Sequence, residues 1–392
     1  MLQTKKPRLF YFLLVLGCMN FLGRGSIVLL LLCLYELFRR KSYIAIDRNA
    51  IIIACFSLCV IFAAATYYSY SECIKAVNYF LMYVLGYDSY RRAEDKAACV
   101  EYTALAICIG FGLELVLMYL YNYNREQLSV RSMYSIWTGE TIAVTLLGLL
   151  VSAVIGFSFY SFFYTKKKGQ KVVVFFLLAV GLIISVNTAT RTPFVMLFVV
   201  YAVMLVIHLF NKRGIKALRF VALGIILLLL VVLLFGLDVG GIRSATMNTH
   251  LVQRFLNEEL EDGRLSRMKL HMEMMLDYPW GGGHIEAITG KNGHNYLQQG
   301  HDLYGIFAFI FLLAITVQFV SNLVRLLKKR GKTGIDMLFL SMYLSMWIQI
   351  CLEPIFTGYP ILFWSLLVVH GMATAYLRQG YSSNDVRGKY RI

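Results

Sequence analysis

The residues of this chain that are suited to phosphate chemistry are arginines and histidines. They lie in two polar parts of a mostly apolar sequence. The candidates are Arg191, Arg243, Arg254, Arg264, Arg267, His250, His271, His284, His294 and His301. Guanidinium groups bind planar, multidentate anions, and two of them together can hold a diphosphate in a partly desolvated site. A histidine beside them can take the proton of a hydroxyl nucleophile near neutral pH. The combination indicates group transfer from a lipid donor that is activated by a diphosphate.

Each of these residues also has a purely structural interpretation. Arg191 can snorkel at a membrane interface, Arg264 can face lipid headgroups from a helix surface, and His294 can cap the next helix. We expect no metal site from His284, His294 and His301, because their spacings match no standard ligand pattern and acidic partners are few. No cofactor is expected either.

The elements that position these residues are predicted to be membrane-spanning helices. Apolar residues make up 59% of the 392 positions and charged residues only 15%, which is typical of polytopic membrane proteins. Apolar runs of about 18 to 24 residues can cross a hydrocarbon core of roughly 30 Å as helices that satisfy their own backbone. The predicted spans are 9–23, 25–38, 49–66, 74–90, 98–121, 140–164, 172–189, 193–210, 219–237, 302–324, 335–352 and 360–377. The predicted fold is an all-α helical bundle of about twelve transmembrane helices.

The distribution of basic residues predicts the orientation of these spans. The formal charge of +16 comes from lysines and arginines that alternate with the spans and form no single face, so no nucleic-acid partner is expected. The positive-inside rule places both termini in the cytoplasm and the arginine and histidine candidates outside. The predicted organisation is a transmembrane bundle at 1–237, a large outer loop at 238–301, a second transmembrane part at 302–377 and a cytoplasmic tail at 378–392.

The outer loop is predicted to contain an amphipathic helix that lies on the bilayer surface. Residues 262–277 place apolar side chains at helical spacing, with basic residues on the other sides. These apolar side chains are Leu265, Met268, Met272, Met275 and Leu276. Pro279 and the glycines at 281–283 are predicted to end this helix.

Glu114 lies deep in the fifth predicted span. An ionisable residue inside a membrane is by default a hypothesis for a functional site. The alternative is a residue of the bundle interior that is hydrogen-bonded to a neighbour, and the sequence leaves both interpretations open.

Three stretches resemble the O-antigen polymerase and O-antigen ligase family of bacterial polysaccharide assembly. ATRTPFVML at 189–197 is similar to the family's Ser-Arg element at the outer end of a span. GRLSRMKLHMEMMLDYPWGGGH at 263–284 resembles its passage from a Gly-Arg pair through an amphipathic helix to Pro and Gly-x-Gly. HNYLQQGHDLYGIFA at 294–308 is similar to its His-Asn element with a glycine ten residues after the asparagine. The chain departs from the family pattern at Thr190, Val195 and Ala308.

The resemblance implies a metal-independent glycosyltransferase in the bacterial inner membrane, with an active site that faces outward. The donor would be a glycan on undecaprenyl diphosphate, and the further partners would be a glycan acceptor, membrane lipids, a flippase and chain-length regulator proteins. Arg191 and Arg264 would contact the diphosphate, His294 would be the base or would position the acceptor, and Asn295 would orient His294. Arg267 is the alternative to Arg264, and Arg243 and Arg254 are further candidates for substrate binding.

Two other functions compete with a polymerase that extends a lipid-linked repeat unit. A ligase of the same family would transfer the finished glycan to lipid A core or another carrier. A lipid-linked oligosaccharide flippase or transporter also has about a dozen spans, but transporters commonly show two related halves and a polar site at mid-membrane. This chain shows no evident repeat and concentrates its polarity in one outer loop. That asymmetry favours an enzyme of this family over a transporter. Within the family the polymerase is favoured over the ligase, because the polymerase branch is the more divergent and the motifs of this chain depart from the family pattern.

Overall fold

The computed structural model of the chain describes residues 8–39, 46–68, 70–123, 132–143, 145–211, 264–290, 293 and 295–388, and these residues are almost entirely helical. The helices are α1 (Arg8–Cys18), α2 (Gly25–Arg39), α3 (Arg48–Tyr67), α4 (Tyr70–Arg92), α5 (Lys96–Asn122), α6 (Thr145–Phe163), α7 (Lys168–Asn187), α8 (Thr192–Asn211), α9 (Arg264–Met274), α10 (His284–Thr289), α11 (Tyr296–Lys328), α12 (Gly334–Leu352) and α13 (Ile361–Gly388). A 3-10 turn at Phe21–Gly23 joins α1 to α2. Two short antiparallel strands, β1 (Ser132–Tyr134) and β2 (Thr141–Ala143), form a hairpin.

Eight of the described helices are long and apolar enough to cross a membrane, and they indicate a multi-pass membrane protein. They are α3, α5, α6, α7, α8, α11, α12 and α13. The shorter α1 and α2 and the more polar α4 coincide with three further predicted spans. The predicted span 219–237 lies outside the described residues, so a total of twelve spans stays a prediction.

One end of the bundle, here called the basic end, carries the first residues of α3, α5, α7 and α12 and the last residues of α4, α11 and α13. Helix starts there are capped by side chains: Asp47 accepts from Ala50 N at 2.8 Å and Asp95 from Ala98 N at 2.9 Å. Thr333 and Asp336 form a reciprocal capping box at the start of α12. Such caps satisfy backbone groups that have no partner within the helix.

Ion pairs join neighbouring helices at the basic end. Arg378 of α13 lies 2.9 Å from Asp47, which precedes α3. Lys329, directly after α11, lies 2.9 Å from the buried Asp336 of α12. The opposite end, here called the loop end, carries the hairpin, α9 and α10.

Helix α4 packs closely along α13. A Cβ atom at Gly86 would lie 2.1 Å from Val368 O, and a Cβ atom at Gly371 would lie 2.2 Å from Tyr83 O. Small residues let membrane helices approach at the backbone, where van der Waals contact and not water exclusion stabilises the pair. In the neighbouring layers α3 packs on α4 and α11, while α6 packs on α5, α7 and α12.

Glu114 has the structural role that the sequence left open as an alternative. Its side chain is buried in α5 and accepts a hydrogen bond from Trp137 Nε1 at 2.7 Å. Trp137 lies in the turn between β1 and β2, so this contact ties the hairpin to the bundle.

Two element boundaries and the environment of one helix differ from the sequence predictions. Helix α11 begins at Tyr296, inside the predicted outer loop, and α13 continues past the predicted span to Gly388. The predicted amphipathic helix is present as α9, but its apolar residues do not share one environment. Met275, just after α9, is buried, whereas Met268, Met272 and Leu276 are exposed.

Candidate functional site

A glycine-rich segment at 279–283, here called the glycine segment, pairs with a break in α11. The break is at Gly305, whose φ of 88° and ψ of 179° interrupt the helix. An interrupted helix leaves carbonyl and N–H groups without intrahelical partners, and the glycine segment supplies those partners. The three hydrogen bonds are Gly282 N to Leu303 O (3.1 Å), Gly283 N to Asp302 O (2.8 Å) and Ile306 N to Pro279 O (2.8 Å).

Only glycine fits where the two backbones meet. A Cβ atom at Gly281 would lie 2.6 Å from Gly305 N, and one at Gly305 would lie 2.9 Å from Pro279 O. Both residues also have positive φ angles, which side chains disfavour. The stretches 263–284 and 294–308, which carry two of the three family-like patterns, therefore meet at these glycines.

Asp302 fixes α10 against α11. Its carboxylate is 3% exposed and accepts from Ile285 N at 2.9 Å and from Glu286 N at 3.2 Å. The side chain thus caps α10 from a neighbouring helix, where a negative charge also stabilises the positive end of the helix dipole.

Polar contacts hold α9 on the first turns of α11. Gln298 Nε2 donates to Met268 O at 3.0 Å, and the buried rings of His271 and His301 meet edge to face with centroids 5.6 Å apart. Burial lowers the pKa of His271 below its ordinary value of 6.5, while the charge of Asp302 acts in the opposite sense. His271 therefore favours the neutral form while α9 is in place.

A cavity of about 380 Å³ opens at the loop end beside these elements. It is bordered by the end of α3, the start of α4, the start of α11 and the connection between α12 and α13. The lining residues are Tyr68, Glu72, Lys75, Leu303, Tyr304, Phe356 and Thr357. Three aromatic rings and one pair of opposite charges give it the mixed apolar and polar lining of small-molecule sites. Within the pair, Lys75 Nζ lies 2.5 Å from Glu72 Oε1.

Gln299 joins two of the cavity walls, and Tyr68 lies beside the glycine segment. The buried Gln299 accepts from Phe356 N at 2.7 Å and donates to Thr357 Oγ1 at 2.6 Å, which fixes the wall between α12 and α13. The hydroxyl of Tyr68 is 3.4 Å from the position of a Cβ atom at Gly283. The pKa of Tyr68 is raised by burial first and then by the charges of Asp302, Glu286 and Glu72, so these carboxylates act on one site.

The sequence-predicted site residues are distributed unevenly over the described structure. Arg191 lies half-buried at the loop end, where its carbonyl accepts from Phe194 N at the start of α8. Arg264 is the first residue of α9, and Arg267 is half-buried on the same helix. Asn295 caps α11 by accepting from Gln298 N at 2.9 Å. Four further candidates, Arg243, His250, Arg254 and His294, lie outside the described residues.

Sequence reasoning missed the residues that border the cavity. Glu72 and Lys75 stand together in the stretch SECIK at 71–75, at the start of the fourth predicted span. That charge pair was a signal, but nothing in the sequence shows that Tyr304 and Thr357 come to its side.

No protein-family model matches the chain, and no curated protein matches it. The resemblance therefore rests on residues 189–197, 263–284 and 294–308, and the function must be inferred from the geometry of the loop end.

Proposed function

We propose that this protein is a bacterial surface-polysaccharide polymerase that acts on the outer face of the cytoplasmic membrane. It would transfer a glycan from undecaprenyl diphosphate to a hydroxyl of a lipid-linked repeat unit. The observation that carries the proposal is the pairing of the glycine segment with the break at Gly305, next to the aromatic cavity. This contact joins two of the three stretches that resemble the family in the sequence.

The proposed reaction is a displacement at the anomeric carbon of the donor glycan. The acceptor oxygen forms the new glycosidic bond with inversion, and the bond between the anomeric carbon and the diphosphate oxygen breaks. The electron pair leaves with undecaprenyl diphosphate, and the hydroxyl proton passes to a base. The diphosphate activates the donor, so the reaction needs no ATP.

Arginines are proposed to stabilise the leaving group. Negative charge grows on the diphosphate in the transition state, and preorganised donors away from bulk water stabilise such charge strongly. Arg191 precedes α8 at the loop end, and Arg264 begins α9, which is docked on α11. Arg267 is the alternative on α9. Removal of one such donor typically lowers a rate by about 100-fold or more.

The test is a glycan ladder on a gel from native cells in which the gene is deleted and then restored. The restored forms are wild type, Arg191→Ala, Arg264→Ala, Arg267→Ala and His294→Ala at matched membrane levels. Arg24→Ala is the control, because Arg24 is an exposed arginine at the loop end that belongs to no predicted site. We expect deletion to leave single repeat units on the surface carrier. Wild type and Arg24→Ala should restore long chains, whereas Arg191→Ala and His294→Ala should not.

Other outcomes would overturn parts of the proposal. Long chains that accumulate on undecaprenyl diphosphate after deletion would identify a ligase. A full ladder after deletion would exclude both enzymes. If deletion abolishes the ladder and every variant restores it, the enzyme assignment stands and the assigned arginines and histidine are interfacial residues.

A further inference from the structure

We propose that Glu72 takes the proton of the acceptor hydroxyl and that Lys75 binds the donor diphosphate, an assignment that rests on the proposed glycosyl transfer. His294 would then position the acceptor and would not act as the base. Neither Glu72 nor Lys75 belongs to the stretches that resemble the family.

The position of the pair in the cavity is the first reason. Among the described residues that line the cavity, Glu72 supplies the sole carboxylate and Lys75 the sole cation. The two residues are three positions apart on α4, so they project from the same face of the helix. Their side chains are 27% and 36% exposed, which leaves both partly accessible from the cavity.

The engagement of neighbouring carboxylates is the second reason. Both oxygens of Asp302 accept from backbone N–H groups of α10, and Glu114 accepts from Trp137. These two side chains have structural partners at the loop end, and Glu286 of α10 is not among the residues that line the cavity. Glu72 instead contacts the terminal ammonium of Lys75. This ammonium stands on a flexible side chain and can move from Glu72 to a bound phosphate.

The aromatic lining is the third reason. Tyr68, Tyr304 and Phe356 border the cavity from three different elements. Aromatic side chains supply large, rigid contact areas, and the tyrosine hydroxyls add polar groups at the edge. Such a lining suits a sugar, which has apolar C–H faces and a polar rim.

The proposed step uses both charges of the pair. A diphosphate that enters the cavity accepts hydrogen bonds from the Lys75 ammonium, and this separates Lys75 from Glu72. The acceptor oxygen then bonds to the anomeric carbon while the bond from that carbon to the diphosphate oxygen breaks. The hydroxyl proton moves to the Glu72 carboxylate, and the electron pair of the broken bond stays on the diphosphate.

The experiment uses the same deletion strain, restored with wild type, Glu72→Gln, Glu72→Asp or Glu140→Gln at matched membrane levels. Glu72→Gln keeps the shape of the side chain and an oxygen that can accept from Lys75, so folding should be retained. Glu140 is the control, because it is an exposed glutamate of the hairpin at the same end. Chain elongation is also followed in isolated membranes of these cells, with their own lipid-linked repeat units, from acidic to alkaline pH.

We expect Glu72→Gln to slow elongation by about 100-fold or more, the range of general-base catalysis. Glu72→Asp should recover part of the rate, Glu140→Gln should match wild type, and the loss of rate at acidic pH should be steeper in the forms that keep a carboxylate at position 72 than in Glu72→Gln. If wild type restores the ladder and Glu72→Gln restores it equally, this assignment is wrong and the polymerase proposal stands. If the deletion strain keeps its full ladder, the polymerase proposal fails and this assignment fails with it.

Discussion

The backbone conformation of Gly305 is central to how the loop end is built. Its φ of 88° and ψ of 179° lie in a region that is essentially restricted to glycine. The break at this residue frees the carbonyls of Asp302 and Leu303, and both accept from the glycine segment. One unusual backbone conformation therefore determines where the amphipathic helix and the transmembrane helix are joined.

We predict that Gly305→Ala destabilises the protein by on the order of 1–3 kcal/mol from backbone strain alone. The added Cβ atom would also lie 2.9 Å from Pro279 O, so the pairing with the glycine segment should weaken. Thermal unfolding of the purified protein in detergent and the rate of proteolysis within 279–290 would measure both effects.

Gly290→Ala is the matched control for this substitution. Gly290 has a φ of 65°, but no atom lies within 4 Å of an added Cβ. It should therefore cost only the roughly 1–2 kcal/mol of a left-handed alanine and leave the glycine segment in place. Equal proteolysis of the two variants would contradict the role assigned to Gly305.

Polar contacts determine how the amphipathic helix α9 docks on α11. Its buried contacts with α11 are made by His271 and by the Met268 carbonyl, which accepts from Gln298. The side chains of Met268 and Met272 are 38% and 56% exposed. The apolar face is therefore available to lipid while the opposite side attaches to the protein.

We predict that α9 docks less firmly as the pH falls below about 6.5. The pKa of His271 is lowered mainly by burial, so the docked state binds a proton more weakly than the undocked state. Proton uptake below the ordinary histidine value then favours undocking. Amide hydrogen exchange of α9, expressed as protection factors at neutral and mildly acidic pH, would measure the loss.

A neutral variant and a second helix provide the controls. In His271→Leu the loss of α9 protection at acidic pH should become smaller, and the buried ring of His301, which meets His271, accounts for the dependence on pH that remains. Helix α10 is the second control. Burial and then the charge of Asp302 raise the pKa of Glu286, so protonation of Glu286 as the pH falls stabilises the folded form of α10. Protection that falls alike in wild type and in His271→Leu would show that another group controls docking.

We predict that the exposed apolar side of α9 and the residues just after it contact the outer leaflet of the membrane. Trp280 is 65% exposed and lies beside Phe307, with ring centroids 6.3 Å apart, where the exposed apolar stripe of α11 begins. Met272 and Leu276 continue this exposed surface along α9. We expect brominated lipids to quench the fluorescence of Trp280 in proteoliposomes.

The loss of quenching in single tryptophan variants shows which tryptophan the lipid reaches. Trp280→Phe should remove most of it, whereas Trp364→Phe should not, because Trp364 is only 1% exposed inside the bundle. Quenching that persists unchanged in Trp280→Phe would place α9 away from the membrane.

The sequence predicted the elements far better than their contacts. Apolar runs must be helical in lipid, so most predicted spans coincide with described helices. Helical spacing located the apolar residues of α9, but it cannot show that His271 would be buried while Met272 is exposed. The approach of Gly281 to Gly305 depends on residues distant in the chain, and so does the cavity beside Glu72. Such contacts leave no local pattern.

The whole molecule separates two kinds of polar surface. Ion pairs such as Arg378 with Asp47 join helices at the basic end, whereas the loop end carries the glycine segment and the cavity. We predict that the basic end faces the cytoplasm. A fluorescent protein fused after Arg92 should be fluorescent, and alkaline phosphatase fused after Gly139 should be active. Exchanging the two reporters should abolish both signals, and the reverse pattern would mean that the protein is inserted the other way round.

The close approach of α4 and α13 also restricts how the cavity can change shape. The two backbones approach so closely at Gly86 and Gly371 that neither position has room for a Cβ atom, and we expect this close packing to resist rotation or sliding of α4 along α13. Glu72 and Lys75 are carried by α4 and stay fixed relative to that helix pair. We therefore expect a substrate that is larger than the cavity to be admitted by displacement of the other walls, at the end of α3, at the start of α11 or between α12 and α13.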